Sequence, residues 1–213
     1  MIREELKSLL LSFNEEDYCK NLDLHIHSCF SDGVLAPNEI AKLAKENNKK
    51  YIAIADHNTL DAYLSTNVLS EPVVIPAVEF DCFYKGNMIH ILGYGINIDN
   101  QELRELCSKS DWGKKHILYR IFKLRNPKEV IDIIHKADGI AVLAHPACYY
   151  SFNFDNFIGE LVNFGVDGLE VYYPYRFLRA LLKFRTIKTV SDIADKYNLI
   201  KTGGTDSHGK KLL

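Results

Sequence analysis

The sequence predicts an α/β chain, a distorted (β/α)7-type barrel with one β-hairpin and a short lid insertion. Three observations predict it. Seven short apolar runs recur along the 213 residues, most of them separated by stretches with helical spacing, as an alternation of strands and helices requires. Residue types that bind metal ions fall at the ends of those runs, and in parallel α/β architectures chemistry sits at the carboxyl ends of the strands. One gap between runs is too short for a parallel crossover, so it has to be a hairpin.

Ile2–Phe13 carries Ile2, Leu6, Leu9, Leu10 and Phe13 on or near one helical face, the pattern of an amphipathic helix covering the bottom or flank of the barrel. The stretch Leu22–Asp61 then forms a complete strand, helix, strand unit. Its first strand alternates: Leu22, Leu24 and Ile26 fall on one face and Asp23, His25 and His27 on the other. Ser31-Asp32-Gly33 follows as a loop that offers a carboxylate. Pro37 suits the first turn of a helix running to about Lys45, and the second strand, Tyr51–Ala55, ends in Asp56-His57.

The later runs are Val73–Val78, Met88–Tyr94, Ile140–Ala144, Gly168–Tyr172 and Leu199–Gly203. Val78-Glu79 ends the third. Phe80–Tyr84, Lys85-Gly86-Asn87 and Met88–Tyr94 read as the hairpin, with His90 in its return strand. Residues 96–126 are charged and aromatic, with helical patterns around Gln101–Ser108 and Lys115–Leu124; their place after a strand marks a small lid over the mouth. His145-Pro146 closes the fifth run, Glu170 lies in the sixth, and Gly203-Gly204-Thr205-Asp206-Ser207-His208-Gly209 follows the seventh. No internal repeat or long linker interrupts the chain, so residues 1–213 are expected to form one domain.

Composition sets outer limits. At 47% hydrophobic residues the chain can bury a sizeable core, and a formal charge of −2 gives it no overall basic signature for nucleic acid. No apolar run reaches the ~18–20 residues of a membrane span, and Met1–Lys20 is charged, unlike a signal peptide. The expectation is a cytoplasmic protein without a membrane partner. Five cysteines without paired spacing read as reduced thiols. There is no Gly-x-Ser-x-Gly elbow, phosphate loop or dinucleotide fingerprint.

His25, His27, Asp32, His57, Glu79, His90, His145, Asp206 and His208 are therefore the candidate metal ligands. Burying that many titratable groups together without cations would carry a large desolvation cost. His116, in the lid, and His135, on the helix Pro127–Ala137, are assigned no part in the site. Among cations near the mouth, Lys114, Lys115, Arg120, Arg176 and Arg179, the preferred substrate-binding residue is Arg176. It follows Tyr172-Tyr173-Pro174-Tyr175 directly after the Glu170 strand.

Asp23-Leu24-His25-Ile26-His27, Ser31-Asp32-Gly33 and Asp56-His57-Asn58-Thr59 together resemble the signature of the polymerase and histidinol phosphatase (PHP) family of metal-dependent phosphoesterases. The later motifs extend the resemblance over Leu22–Gly209; Asn58 stands where many relatives have Asp. The resemblance implies hydrolysis of a phosphate monoester of a small metabolite or nucleotide, with a nucleoside bisphosphate or short oligonucleotide among the candidates, by a metal-activated water. It implies two or three divalent ions, with nitrogen and oxygen ligands favouring manganese, zinc or iron. His25, His27, Glu79 and Asp206 would hold the first; Glu79, His90 and His145 the second; Asp32, His57 and His208 the third. Asp56 and Glu170 would act behind the ligands, and the proton for the leaving group would come from Asp32 or His208, or from water. The alternatives are a histidinol-phosphate phosphatase and a catalytically silent, polymerase-associated metal-binding domain. The Ser-Asp-Gly motif, hairpin and insertion look more like the nucleotide-phosphatase and oligonucleotide-hydrolase branch. No specific protein partner is implied.

Overall fold

Pro76 decides the architecture. In the computed structural model, which describes residues 2–65, 72–174 and 185–209, the run Val73–Val78 is broken where proline has no N–H to give to a ladder. Before it, the short strand β3 (Val73–Val74) joins β1 (Leu22–Ile26) and β2 (Tyr51–Ile54) in a parallel sheet of order β1-β2-β3. After it, β4 (Ala77–Tyr84) begins a second sheet with β5 (Asn87–Tyr94), β6 (Ile140–Leu143), β7 (Gly168–Tyr172) and β8 (Ile200–Gly203), in that order. β4, β5 and β6 are antiparallel neighbours, and β6, β7 and β8 run parallel.

The expected distorted (β/α)7-type barrel is thus corrected to eight described strands in two separate sheets. The sheets are stitched by single parallel bridges, Ile26 with Ser207 and His57 with Glu79. The hairpin is present and longer than its sequence reading: Glu79 lies inside β4 rather than at a strand end, and Asp81 pairs directly with His90 across the turn.

Helices cover the sheets where their apolar faces dictate. α1 (Arg3–Ser12) buries Leu6 and Leu10, and Arg3 reaches Asp167 (2.7 Å) and the Gly139 carbonyl (3.0 Å). Those partners lie just before β7 and β6, so α1 closes the end at which these parallel strands begin. After α2 (Glu15–Lys20), α3 (Pro37–Glu46) lays Ile40, Ala41 and Ala44 on β1 and β2. A short α4 (Asp61–Leu64) follows β2. Residues 96–126 contain α5 (Gln101–Leu106), α6 (Trp112–Lys115) and α7 (Ile117–Ile121). α8 (Pro127–Lys136), α9 (Phe154–Asn163) and α10 (Ile187–Lys196) cover the outer face of the larger sheet through one apolar cluster. Asn126, Asn153 and Thr186 cap their first turns. Asn48, Asp138 and Asn198 take the left-handed conformation just past α3, α8 and α10, where short polar side chains tolerate it.

The space between the sheets is divided. Leu22, Leu24, Ala53, Leu92, Tyr94 and Val142 form an apolar filling with Leu6 and Leu10. Towards the strands' carboxyl ends, polar side chains replace it.

Gly204 sets how closely the β8 loop approaches β1. A Cβ there would stand 2.4–2.9 Å from the Cβ, N and Cα of His25, inside any van der Waals contact. Gly204→Ala is expected to cost about 2 kcal/mol of stability by overpacking, read as a lowered midpoint in urea unfolding. An unchanged midpoint would mean the loop shifts freely.

Candidate metal centre

Alternation delivers the site. In β1 the expected alternation is broken by an irregularity between Asp23 and Ile26: Leu22 and Leu24 join the apolar filling between the sheets, Ile26 packs with α3, and His25 and, just past the strand, His27 turn to the site. In β4 the outward Val78, Phe80 and Cys82 pack into the outer core while Glu79 and Asp81 face in, and His90 faces in opposite Asp81. His57 follows β2. His145 follows β6 in a left-handed conformation (φ 30°, ψ 54°) that turns the chain before Pro146. Asp206 and His208 follow β8.

Glu79 is the hub. Its oxygens lie 3.4 Å from His25 Nε2, 3.3 Å from His27 Nε2, 3.2 Å from His57 Nδ1, 2.9 Å from His90 Nδ1 and 3.4 Å from His145 Nε2. Asp206 Oδ1 stands 3.1 Å from His27 Nε2 and 3.6 Å from His25 Nε2. Asp32 Oδ1 is 3.1 Å from His208 Nε2 and 3.6 Å from His27 Nδ1, and Asp32 Oδ2 is 3.7 Å from His57 Nε2. All nine residues expected as ligands therefore converge.

These separations fit ions. A tetrahedral ion with bonds of about 2.0–2.1 Å has ligand-to-ligand edges of about 3.3 Å. Three groups of donor atoms are close enough to share an ion: His25, His27 and Asp206; His57, Glu79 and His90; His27, Asp32, His57 and His208. Both Glu79 oxygens, Asp32 Oδ1, His57 Nδ1 and His90 Nε2 are buried without a hydrogen bond of good geometry. Such orphaned donors and acceptors facing one another are what a cation would satisfy.

A further layer fixes the rings. Glu170 receives His25 Nδ1 (2.9 Å) and the His145 backbone N–H (2.8 Å). Tyr149 Oη meets His145 Nδ1 (3.2 Å) while accepting the His90 N–H (2.9 Å). His208 Nδ1 lies 2.9 Å from its partner, the Asp206 carbonyl, which leaves Nε2 to Asp32. Tyr173 donates to Asp206 Oδ2 (2.6 Å). Such partners select which ring nitrogen faces a metal. Asp56 accepts from Ser28 N, Ser28 Oγ and Ser31 Oγ at 2.5–2.7 Å, so it shapes the loop that carries Asp32. Asp23 receives Thr205 N and Oγ1 and ties β1 to the β8 loop.

Protonation follows charge. Burial raises the Glu79 pKa, yet His90, His57 and His25 outweigh it and hold the carboxyl well below its ordinary range. Burial likewise pushes His27 down, but Asp206 and Glu79 prevail and lift it to about 10. Burial pushes Asp23 up to about 6, against the pull of Thr205 and Lys49.

Arg176 and Arg179 lie outside the described residues. Lys114 is spent on Asp61 (2.6 Å) and Lys115 is exposed. His116 stacks on Trp112 and His135 pairs with Asp167, both apart from the centre. Two neighbours of the centre were not singled out from sequence. Asp81 Oδ1 is 3.2 Å from His57 Nδ1 and 3.3 Å from His90 Nε2; its spacing of two from Glu79, the same as in His25-x-His27, was the available signal. Arg120, one lid cation among several in the sequence, reaches Asp32 and Asp81.

A buried cluster of histidines and carboxylates on a two-sheet α/β scaffold is suited to metal-assisted hydrolysis. The PHP domain model matches residues 23–183, and the chain belongs to that family. It is 24% identical over 255 residues to a phosphoribosyl 1,2-cyclic phosphate 1,2-diphosphodiesterase of Eggerthella lenta, covering 88% of this chain and 94% of that one. It is 35% identical over 128 residues to a 5'-3' exoribonuclease of Haemophilus influenzae, 59% of this chain but only 46% of that one. A solved structure of an amidohydrolase from Chromobacterium violaceum with bound sulfate superposes with a TM-score of 0.74 at 18% identity, over 89% of this chain and 88% of that one.

His27 sets a pH dependence. Because its folded pKa stands above the unfolded value, its contribution to the ion-free fold is complete below about pH 6.5 and is lost as pH rises through about 10. An ion binds only the neutral ring, so binding at pH 7.5 is expected to expel a proton, and affinity to rise with pH. Titration calorimetry with manganese in two buffers of different ionisation enthalpy checks this; identical heats would contradict it.

Proposed function

We propose that this chain hydrolyses a phosphate monoester of a small metabolite or nucleotide, using two or three divalent ions of the manganese, zinc or iron type. The convergence of nine nitrogen- and oxygen-donor residues, with Glu79 at the hub among five imidazoles, carries the reading. In this assignment His25, His27, Glu79 and Asp206 hold one ion, Glu79, His90 and His145 a second, and Asp32, His57 and His208 a third. When bound, such ions polarise a phosphoryl oxygen and activate a water for in-line attack.

The protein's own groups do the rest. Glu170, Tyr149 and Tyr173 orient ligands, and Asp56 holds the loop of Asp32. With two ions, the partly exposed His208–Asp32 pair can hand a proton to the leaving alkoxide from Nε2. With three, both residues become ligands and that proton comes from water. No side-chain nucleophile is needed. Arg176 remains the proposed contact for a distal phosphate or carboxylate.

A second reading, a short oligonucleotide as substrate, has its own support in residues 107–125. There exposed Trp112, Tyr119 and Phe122 are interspersed with Lys109, Lys115 and Lys123, the mixture of stacking faces and cations that suits single strands.

Metal analysis of chelator-free protein, with phosphate release from nucleoside monophosphates and bisphosphates, sugar phosphates, histidinol phosphate, cyclic phosphates and short oligonucleotides, tests both. Two or three ions with turnover are expected; absence of ions after manganese is supplied would overturn the proposal. Glu79→Gln is expected to lower metal occupancy and turnover by roughly tenfold or more, and unchanged phosphate release in that variant would remove Glu79 from the centre.

A further inference from the structure

Arg120 is the lid residue that enters the metal centre. α7 is exposed along most of its length, with Ile117, Leu118 and Ile121 open to solvent, yet the Arg120 side chain is only 3% exposed. Its Nε lies 3.0 Å from Asp81 Oδ2 and its Nη1 2.9 Å from Asp32 Oδ2. The guanidinium borders a cavity of ≈ 240 Å³ whose other walls include Met88, Ile117, Glu79 and His90.

The two carboxylates differ in kind. Asp81 is tethered: it sits in the middle of β4, its Oδ2 accepts from Asn58 Nδ2 (2.5 Å), its N–H donates to Asn58 Oδ1 (3.1 Å), and Arg125 Nη1 holds the same Asn58 oxygen (2.6 Å). Asp32 sits on a loop, and its other oxygen already faces His208 and His27 in a group able to hold an ion. An ion there competes with Arg120 for Asp32. Once Asp32 turns its charge to the ion, Nη1 is left buried and unpaired, and Nε, which makes no hydrogen bond, keeps only its charge contact with Asp81. A buried guanidinium edge in that state requires an anion.

We propose that Arg120 is a phosphoryl clamp delivered by the lid. Asp81 fixes one edge of its guanidinium, and Asp32 occupies the other until ions and substrate arrive. That second edge then receives a non-bridging oxygen of the substrate phosphate. The inference rests on the phosphoesterase reading for its ligand, but it assigns to this enzyme a binding group outside the nine metal donors.

The test is inorganic phosphate binding to manganese-loaded protein by calorimetry, beside manganese binding itself, in wild type, Arg120→Ala and Arg120→Lys. Emission from Trp112, the single tryptophan, reports whether the neighbouring lid remains folded. Arg120→Ala is expected to weaken phosphate binding by about tenfold or more, with manganese affinity equal to or above that of wild type because Asp32 has lost a competing cation. Arg120→Lys, which keeps the charge without the planar fork, is expected to fall between them. Phosphate affinity within about twofold of wild type in fully loaded Arg120→Ala overturns the clamp. So does loss of manganese together with phosphate, which would make Arg120 a support for Asp32 and nothing more. If loaded wild type cleaves no phosphate ester, the phosphoesterase reading fails, while the phosphate-binding comparison still decides Arg120.

Discussion

One buried carboxylate governs this structure. Glu79 stands inside a β-strand, almost fully buried, with five imidazoles within 3.4 Å. An isolated charge in that position would be prohibitively costly, so its neighbours must carry positive charge, as protons or as metal ions. The rest of the molecule is arranged to make that possible. Two sheets supply imidazoles from opposite sides. A ring of carboxylates and tyrosines fixes their orientation, and α1 seals the apolar end of the interior.

The hairpin explains why the arrangement is rigid where it matters. Glu79, Asp81 and His90 are held by an uninterrupted antiparallel ladder from Ala77 to Tyr94, so their separations follow from strand geometry. Asp32, Asp206 and His208 lie on loops instead. The centre thus combines a fixed half with a half that can adjust to the number of ions present.

Much of this was legible in the sequence, and the parts that were not share a cause. His25-x-His27, Asp56-His57 and Asp206-x-His208 declare themselves because local alternation and loop chemistry place them. α1, α3, α5 and α8 were read from their spacing, with Pro37 and Pro127 marking two of the starts, whereas α9 and α10 were not read and the expected Lys115–Leu124 helix is the shorter pair α6 and α7. The distorted (β/α)7-type barrel was not borne out. Whether two strands pair is a long-range matter that periodicity does not encode, and the effect of Pro76 on one ladder divides a run that reads as continuous. Asp81 was passed over because its segment, Phe80–Tyr84, reads as an ordinary hairpin arm. Arg120 resembles the other cations of residues 96–126 until tertiary packing turns it inward.

The single bridges Ile26–Ser207 and His57–Glu79 have a consequence outside catalysis. Both lie at the donor cluster, so the seam between the sheets is closed, on that side, largely by the residues that would hold ions. Ligands that bind only the folded state stabilise it by mass action. Ions held there would join the two sheets as well as serve turnover, so metal occupancy and resistance to proteolysis are expected to rise together.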